Sequence, residues 1–409
     1  MVDLDRLLTE FKKEYGTTPR LFSAPGRVNI IGEHTDYNDG FVLPMAINRR
    51  TYVAIAPRAD THLRIRSLVL NEAAEADLEP ASSNKDQKWI NYAAGVAWIL
   101  KQRGVKLRGA DIMIDSDVPI GGGLSSSAAL EIAIGKAMTT IAEVEIAPVK
   151  LAQAAQEAEH KFAGAKVGIM DQLTATLGRK DHALLIDCRS LEVKPISLAK
   201  LNAAIVVCNT NVKHDLASSA YNERRAECER GVEILSKKLP HVRALRDVSV
   251  ADFEKYENDL PEPIRRRCRH VITENDRTVK AAKALENGDR EALGELMKQS
   301  HESLKNDYEV SSRELDLMVG IARRCDAVFG ARMTGGGFGG CTINIVRSEA
   351  VEEFSGKIRK EYRLATQIDP DVYVVKADDG ARAERASEPG VDRGPRAGSP
   401  RGVVDATGS

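Results

Sequence analysis

Apolar positions fall in two kinds of run along the chain. Short runs rich in β-branched residues predict strands over Thr51–Pro57, Leu63–Ser67, Asp111–Val118, Ala183–Asp187 and Ala203–Asn209. Longer runs with a helical spacing predict helices over Ala128–Ala142, Val149–Phe162, Ser219–Leu235, Ile264–Leu285, Glu291–Asn306 and Ser312–Arg324. Near the end, Ala331–Thr334 and Cys341–Val346 read as strands flanking a glycine cluster. A helix over Ala350–Tyr362 and a strand over Val372–Lys376 follow. Residues 1–15 set Leu4, Leu7, Leu8 and Phe11 among charges, which reads as an amphipathic helix and not as an apolar leader. Strands and helices mix without strict βαβ alternation, so the expected class is α+β.

At 409 residues the chain exceeds a usual single core, and a boundary near residue 200 separates a motif-dense half from a helix-rich one. The expected units are residues 1–200 and 201–378. From Asp379 to Ser409 there is no Ile, Leu, Phe, Trp or Tyr, so 379–409 is expected to be a disordered tail. A net charge of −1 gives no field to draw nucleic acid or an anionic membrane. No apolar run approaches the roughly 20 residues that span a bilayer. The six cysteines are dispersed, which argues against structural zinc or a disulfide framework and suits the cytoplasm.

Between a predicted strand and a predicted helix lies Pro119-Ile-Gly121-Gly122-Gly123-Leu124-Ser125-Ser126-Ser127. Glycines let the backbone approach a ligand, and the unpaired N–H groups that open a helix attract phosphate. No Glu or Gln stands where it could close a capping box, so an anion would meet no internal competitor. The loop lacks the lysine of a Walker A sequence. By itself it marks an anion site, or simply a serine-capped helix after a turn.

A second polar cluster, Arg27-Val-Asn-Ile-Ile-Gly32-Glu33-His34-Thr35-Asp36-Tyr37, precedes the turn residues Asn38-Asp39-Gly40. Glu, His and Asp together offer the donors and acceptors that several sugar hydroxyls need, although a solvated hairpin would use the same residues. In the helix over 149–162, Glu159 falls at the edge of the apolar stripe, where a cleft could use it. Asp171, in Gly168-Ile-Met-Asp171-Gln172, could cap a short helix or face that cleft. Gly335–Gly340 places five glycines between two strands, more than turn chemistry alone requires.

Taken together, Gly26–Tyr37, Pro119–Ser127 and Gly335–Gly340 resemble the three signature motifs of the GHMP small-molecule kinases, and the first is similar to the galactokinase signature in particular. The resemblance implies an N-terminal ribosomal-protein-S5-like domain and a C-terminal ferredoxin-like domain with extra helices. It implies a monomeric, cytoplasmic enzyme that uses ATP and Mg²⁺ to phosphorylate the anomeric hydroxyl of galactose. Asp171 would be the general base and Arg27 would stabilise charge in the transition state. Glu33, His34, Thr35, Asp36, Gly168 and Tyr221 would bind the sugar. Gly121, Gly122, Gly123, Leu124, Ser125, Ser126 and Ser127 would hold the nucleotide phosphates, with Ser67 and Trp89 beside the nucleotide. Ser127 and Glu159 would hold magnesium, which suits an ion that takes few protein oxygens beside phosphate. Lys166-Val167 departs from the small or thiol residues common there and could alter one wall of the sugar pocket. The competing readings are a kinase for N-acetylgalactosamine or arabinose, and a galactose sensor without catalysis.

Overall fold

The computed structural model describes residues 2–78, 83–213 and 217–384, and the strands among them form three sheets. The first runs in the order Arg382–Glu384, Arg20–Asn29, Pro44–Pro57, Ala110–Ser116, His62–Ser67, Glu72–Asp77. Its pairings are antiparallel except that of Ala110–Ser116 with His62–Ser67. Alternate residues go to opposite faces, as the pleat requires. Phe22, Val53, Ile55 and Ile112 pack under the helices Ile90–Gln102, Ser126–Ile141 and Pro148–Ala158, while Leu21, Ala54, Ala56 and Met113 pack on Leu4–Tyr15.

The second sheet is antiparallel, in the order Val328–Thr334, Gly339–Val346, Ala204–Lys213, Asp371–Val375. One face carries the helices Arg313–Arg323 and Val351–Thr366. The other shares a core with the first sheet: Ile205, Val207, Ile343 and Ile345 meet Val28, Ile30 and Met45 around Leu124. The phosphate-loop leucine is thus an anchor between two sheets, and the site is built at their junction. A small third sheet joins Phe41–Val42, His182–Asp187 and Val193–Ser197. No helix among the described residues is long and apolar enough to cross a membrane.

Several elements escape the sequence pattern, among them a strand and a helix whose disguise has a clear physical cause. Strand Arg20–Asn29 contains Pro25, which ordinarily excludes a central strand, but the register slips between Pro25 and Arg27. The bulge places Pro25 where its missing N–H does no harm. Helix Ile90–Gln102 is buried from Ile90 to Leu100 save Tyr92, so it shows no amphipathic stripe to detect. The helix expected to run to Phe162 changes to a π-helical turn, Glu159–Ala163.

The chain remains structured beyond residue 378. Arg382–Glu384 pairs with Leu21–Ser23, so the expected disorder from 379 does not hold for 379–384, and its remainder, 385–409, lies outside the described residues. The anchor is Arg50, buried to 2 %, whose guanidinium donates to Asp378 Oδ2 (2.9 Å), Asp379 O (2.8 Å) and Gly380 O (2.7 Å). Arg50→Met is expected to lower unfolding free energy by about 3 kcal/mol, since a half-buried carboxylate and two carbonyls lose their donor. Urea denaturation reads this directly, and an unchanged midpoint would show that the anchor is dispensable.

Candidate active site

Six chain segments enclose a cavity of about 260 Å³ at the junction of the two large sheets. Motif one supplies Arg27, Glu33, His34 and Asp36, and the phosphate loop supplies Gly121, Gly123 and Ser125–Ser127. Glu159, Val167, Gly168, Met170, Asp171, Tyr221, Gly335 and Gly336 complete the wall. Arg27, the start of the Ser126–Ile141 helix and Asp171 therefore face one space.

Asp171 opens the short helix Met170–Leu177 but does not cap it. Its carboxylate turns instead to Arg27, in a two-pronged pair with Nε–Oδ1 and Nη2–Oδ2 both 2.8 Å. Ser125 Oγ donates to Asp171 Oδ2 (2.5 Å), and Arg27 Nη1 donates to Gly123 O (2.7 Å). The Arg27 N–H donates to Leu124 O (3.1 Å), binding motif one to the phosphate loop. With its hydroxyl on Asp171, Ser125 takes a left-handed conformation and leaves the helix without a side-chain cap. The first N–H groups of that helix are left without a side-chain acceptor, and such groups attract anions.

Glu33 is buried and half committed. Its Oε1 accepts from Gly335 N (2.8 Å) and faces Arg332 Nη2 (3.4 Å), which leaves Oε2 for a ligand. Asp36 is packed against Gly168. Burial, reinforced by Asp171 and Glu33, pushes its carboxyl up to about 7, although the Tyr37 N–H and Arg27 pull the other way. Glu159 is buried where the helix changes pitch, a place π-turns often occupy at functional sites. Gln172 Nε2 donates to it (2.8 Å), and the Ser127 hydroxyl lies close enough to favour its charged form. Burial and Asp171 push Glu159 upward, and burial beside Glu159 pushes the enclosed Glu131 well above its usual range. Among the described residues, no three His, Cys, Asp or Glu side chains are arranged to hold a metal by themselves.

Thr35, Gly122, Leu124, Ser67 and Trp89 do not line this cavity. The Thr35 hydroxyl is directed at Gly32 O (2.9 Å) and Phe41 O (2.7 Å), holding the turn of motif one. Gly122 lines a neighbouring cavity of about 620 Å³, with Arg49, Val69, Ile120, Asn209, Asp371 and Tyr373 among its walls. Ser67 and Trp89 line neither. Ser67 Oγ accepts from Leu70 N (3.3 Å), and Trp89 Nε1 donates to Glu72 Oε2 (2.6 Å). Sequence reasoning missed Glu131 and Gln172 behind Glu159, and Tyr308 behind His34. Nothing local marks them, because burial and contacts far along the chain bring them in.

An uncapped helix start opposed by a carboxylate–guanidinium pair, at the meeting of two such sheets, is the architecture of a GHMP small-molecule kinase. The GHMP kinase N-terminal domain matches residues 91–179 and the GHMP kinase C-terminal domain residues 281–364. The galactokinase galactose-binding signature matches residues 9–57. The galactokinase of Chloroflexus aurantiacus is 47% identical over 389 residues, covering 95% of this chain and all of the relative. That of Roseiflexus sp. is 45% identical over 93% of this chain and 97% of its own length. Lactococcus lactis galactokinase, solved with galactose, superposes with a TM-score of 0.89 at 34% identity, covering 93% of this chain and 99% of that one. Methanococcus jannaschii mevalonate kinase (TM-score 0.60, 21% identity, 88% of this chain and 99% of that one) shares the fold. The chain belongs to the galactokinase family. It is a kinase, and ATP is its phosphoryl donor.

Proposed function

We propose that the smaller cavity binds galactose and that the chain transfers the γ-phosphoryl group of ATP to the sugar's anomeric hydroxyl. The observation that carries this is the single space shared by Asp171, Arg27 and the uncapped helix start. Phosphoryl transfer asks chiefly for alignment and charge stabilisation, and these groups supply both. Asp171 accepts the hydroxyl proton as the sugar oxygen bonds to the γ-phosphorus and the bond to the bridging oxygen of ADP breaks. A carboxylate oxygen has two lone pairs. Those of Oδ2 are taken by Arg27 and Ser125, whereas Oδ1 accepts only from Arg27 and keeps one for the proton. Arg27 lies against both the base and the phosphate loop, and from there it stabilises the oxygen that is losing its proton.

Glu33 through Oε2, Asp36 and Tyr221 read the other sugar hydroxyls, with the close packing of Gly168 holding Asp36 in place. Gly121–Ser127 hold the phosphates, and the neighbouring cavity takes the nucleoside; the family resemblance brings Ser67 and Trp89 toward it, although neither lines its wall. For Mg²⁺ the donor set fits. Glu159 is a buried carboxylate that shares the cavity wall with Ser127 and is disfavoured as an anion without a cation beside it. Bound there, the ion would neutralise phosphate charge. The reading takes the chain as a cytoplasmic monomer.

ADP release measured over a panel of sugars tests the assignment. Galactose should be turned over fastest, while a preference for N-acetylgalactosamine or arabinose, or no sugar-dependent ADP release, would reject it.

Asp36 adds a pH test. Its carboxylate is the form that accepts sugar hydroxyls, and in the free enzyme it is half protonated at about pH 7. KM for galactose should rise about tenfold per pH unit below that point, with kcat less affected. Stability runs the other way. The unfolded group loses its proton near pH 3.8 and the folded one near 7, so stability falls as pH rises between them and stays lowered above. Asp36→Asn should accordingly raise Tm at pH 8 while abolishing tight sugar binding. A flat KM profile from pH 6 to 8, or a Tm that drops, contradicts the reading.

A further inference from the structure

His34 lines the cavity, yet both of its ring nitrogens are bonded within the protein. Nε2 lies 3.2 Å from Gly336 O, and Nδ1 lies 2.8 Å from the Tyr37 hydroxyl. The Tyr37 hydroxyl lies 2.7 Å from that of Tyr308, which in turn lies 3.2 Å from Cys228 Sγ. Burial, with His270, Arg224 and Arg332 nearby, lowers His34 to about 3, so the ring is neutral and carries one proton.

Only one arrangement of hydrogens satisfies this chain. A carbonyl can only accept, so Nε2 must carry the proton that bonds Gly336 O. Nδ1 is then a bare acceptor and takes the Tyr37 proton. The Tyr37 oxygen receives the Tyr308 proton, and Tyr308 receives the weak Cys228 donor. Were Tyr37 to donate to Tyr308 instead, Nδ1 would have no donor. Moving the proton to Nδ1 would then turn a bare Nε2 toward the Gly336 carbonyl.

We infer that Tyr37 and Tyr308 are positioning residues that fix His34 in the Nε2–H form, so that His34 clamps the Gly336 peptide against the sugar cavity. The clamp reaches further than the sugar. Gly335, beside Gly336, packs so tightly on the phosphate loop that a Cβ there would lie 3.0 Å from Gly123 O. The tautomer of one histidine thus links the two substrate sites. This rests on the reading of the cavity as the sugar site, but the state of the ring can be measured without any substrate.

The test is ¹H–¹⁵N correlation of histidine side chains in the full chain labelled with ¹⁵N-histidine, with His34→Gln to assign the signal. Wild type should show His34 in the Nε2–H form, unchanged from pH 5 to 9. Tyr37→Phe should move the Nδ1 resonance to that of an unbonded nitrogen. It should also lower kcat/KM for both galactose and ATP about tenfold, the worth of one good hydrogen bond. Tyr308→Phe should shift Nδ1 in the same direction by less. An Nδ1–H or doubly protonated His34 in wild type overturns the inference even if Tyr37→Phe fails to fold. So does a folded Tyr37→Phe whose His34 signals match wild type. The expected ring state in a chain that does not phosphorylate galactose would leave the clamp standing and remove only the substrate assignment.

Discussion

Asp171→Asn is expected to lower turnover by about 10²–10⁴-fold, the range over which a positioned general base contributes. Asparagine is the informative substitution. It keeps an oxygen for Arg27 but has no carboxylate to take a proton. Alanine would confuse the outcome: the Arg27 side chain is only 6% exposed, and stripping a buried charge of its partner costs about 3–5 kcal/mol of stability. Nucleotide affinity, followed by displacement of a fluorescent ATP analogue, should change little, because Asp171 touches the phosphate loop only through Ser125 and Arg27. Turnover within threefold of wild type would remove Asp171 as the base. A matching collapse of nucleotide affinity would assign it to building the loop.

The second large effect needs a single methyl group. A Cβ added at Gly168 would stand 1.8 Å from Asp36 Oδ2 and 2.1 Å from its Cγ, well inside van der Waals contact. Either Asp36 leaves its place or the segment entering the Met170–Leu177 helix shifts, and both misalign the cavity. Displacing a substrate-positioning group by about 1 Å costs on the order of 10²-fold. Gly168→Ala should therefore lower kcat/KM for galactose by about 10²–10³-fold, mostly through KM, and lower stability by the roughly 1–3 kcal/mol that overpacking costs. An unimpaired KM would mean that Asp36 does not bind the sugar where it now lies.

Much of this site could be read from the chain because its chemistry is local. The glycine and serine run of the phosphate loop, the polar cluster at Glu33–Asp36 and the Asp171 segment each carry their donors and acceptors within a few residues. What sequence could not give was how each group is held. The pattern put Glu159 at the edge of an apolar stripe, but the π-turn that buries it depends on packing against other helices. Strand Arg20–Asn29 was hidden by Pro25, since a bulge follows from pairing with a neighbour and not from the strand's own residues. Tyr308 reaches His34 through Tyr37 across 271 residues of chain, a contact without any local trace. Ser67 and Trp89 mark the opposite case: family resemblance brings them to the nucleotide, while their side chains bond Leu70 and Glu72.

The first sheet also constrains how the molecule can be assembled. One of its two outer strands comes from residues 382–384 and lies beside one formed by residues 20–29, so that edge stays open until a strand about 361 residues further along the chain docks on it. The first half cannot close its sheet alone, and its last edge is supplied by the far end of the second.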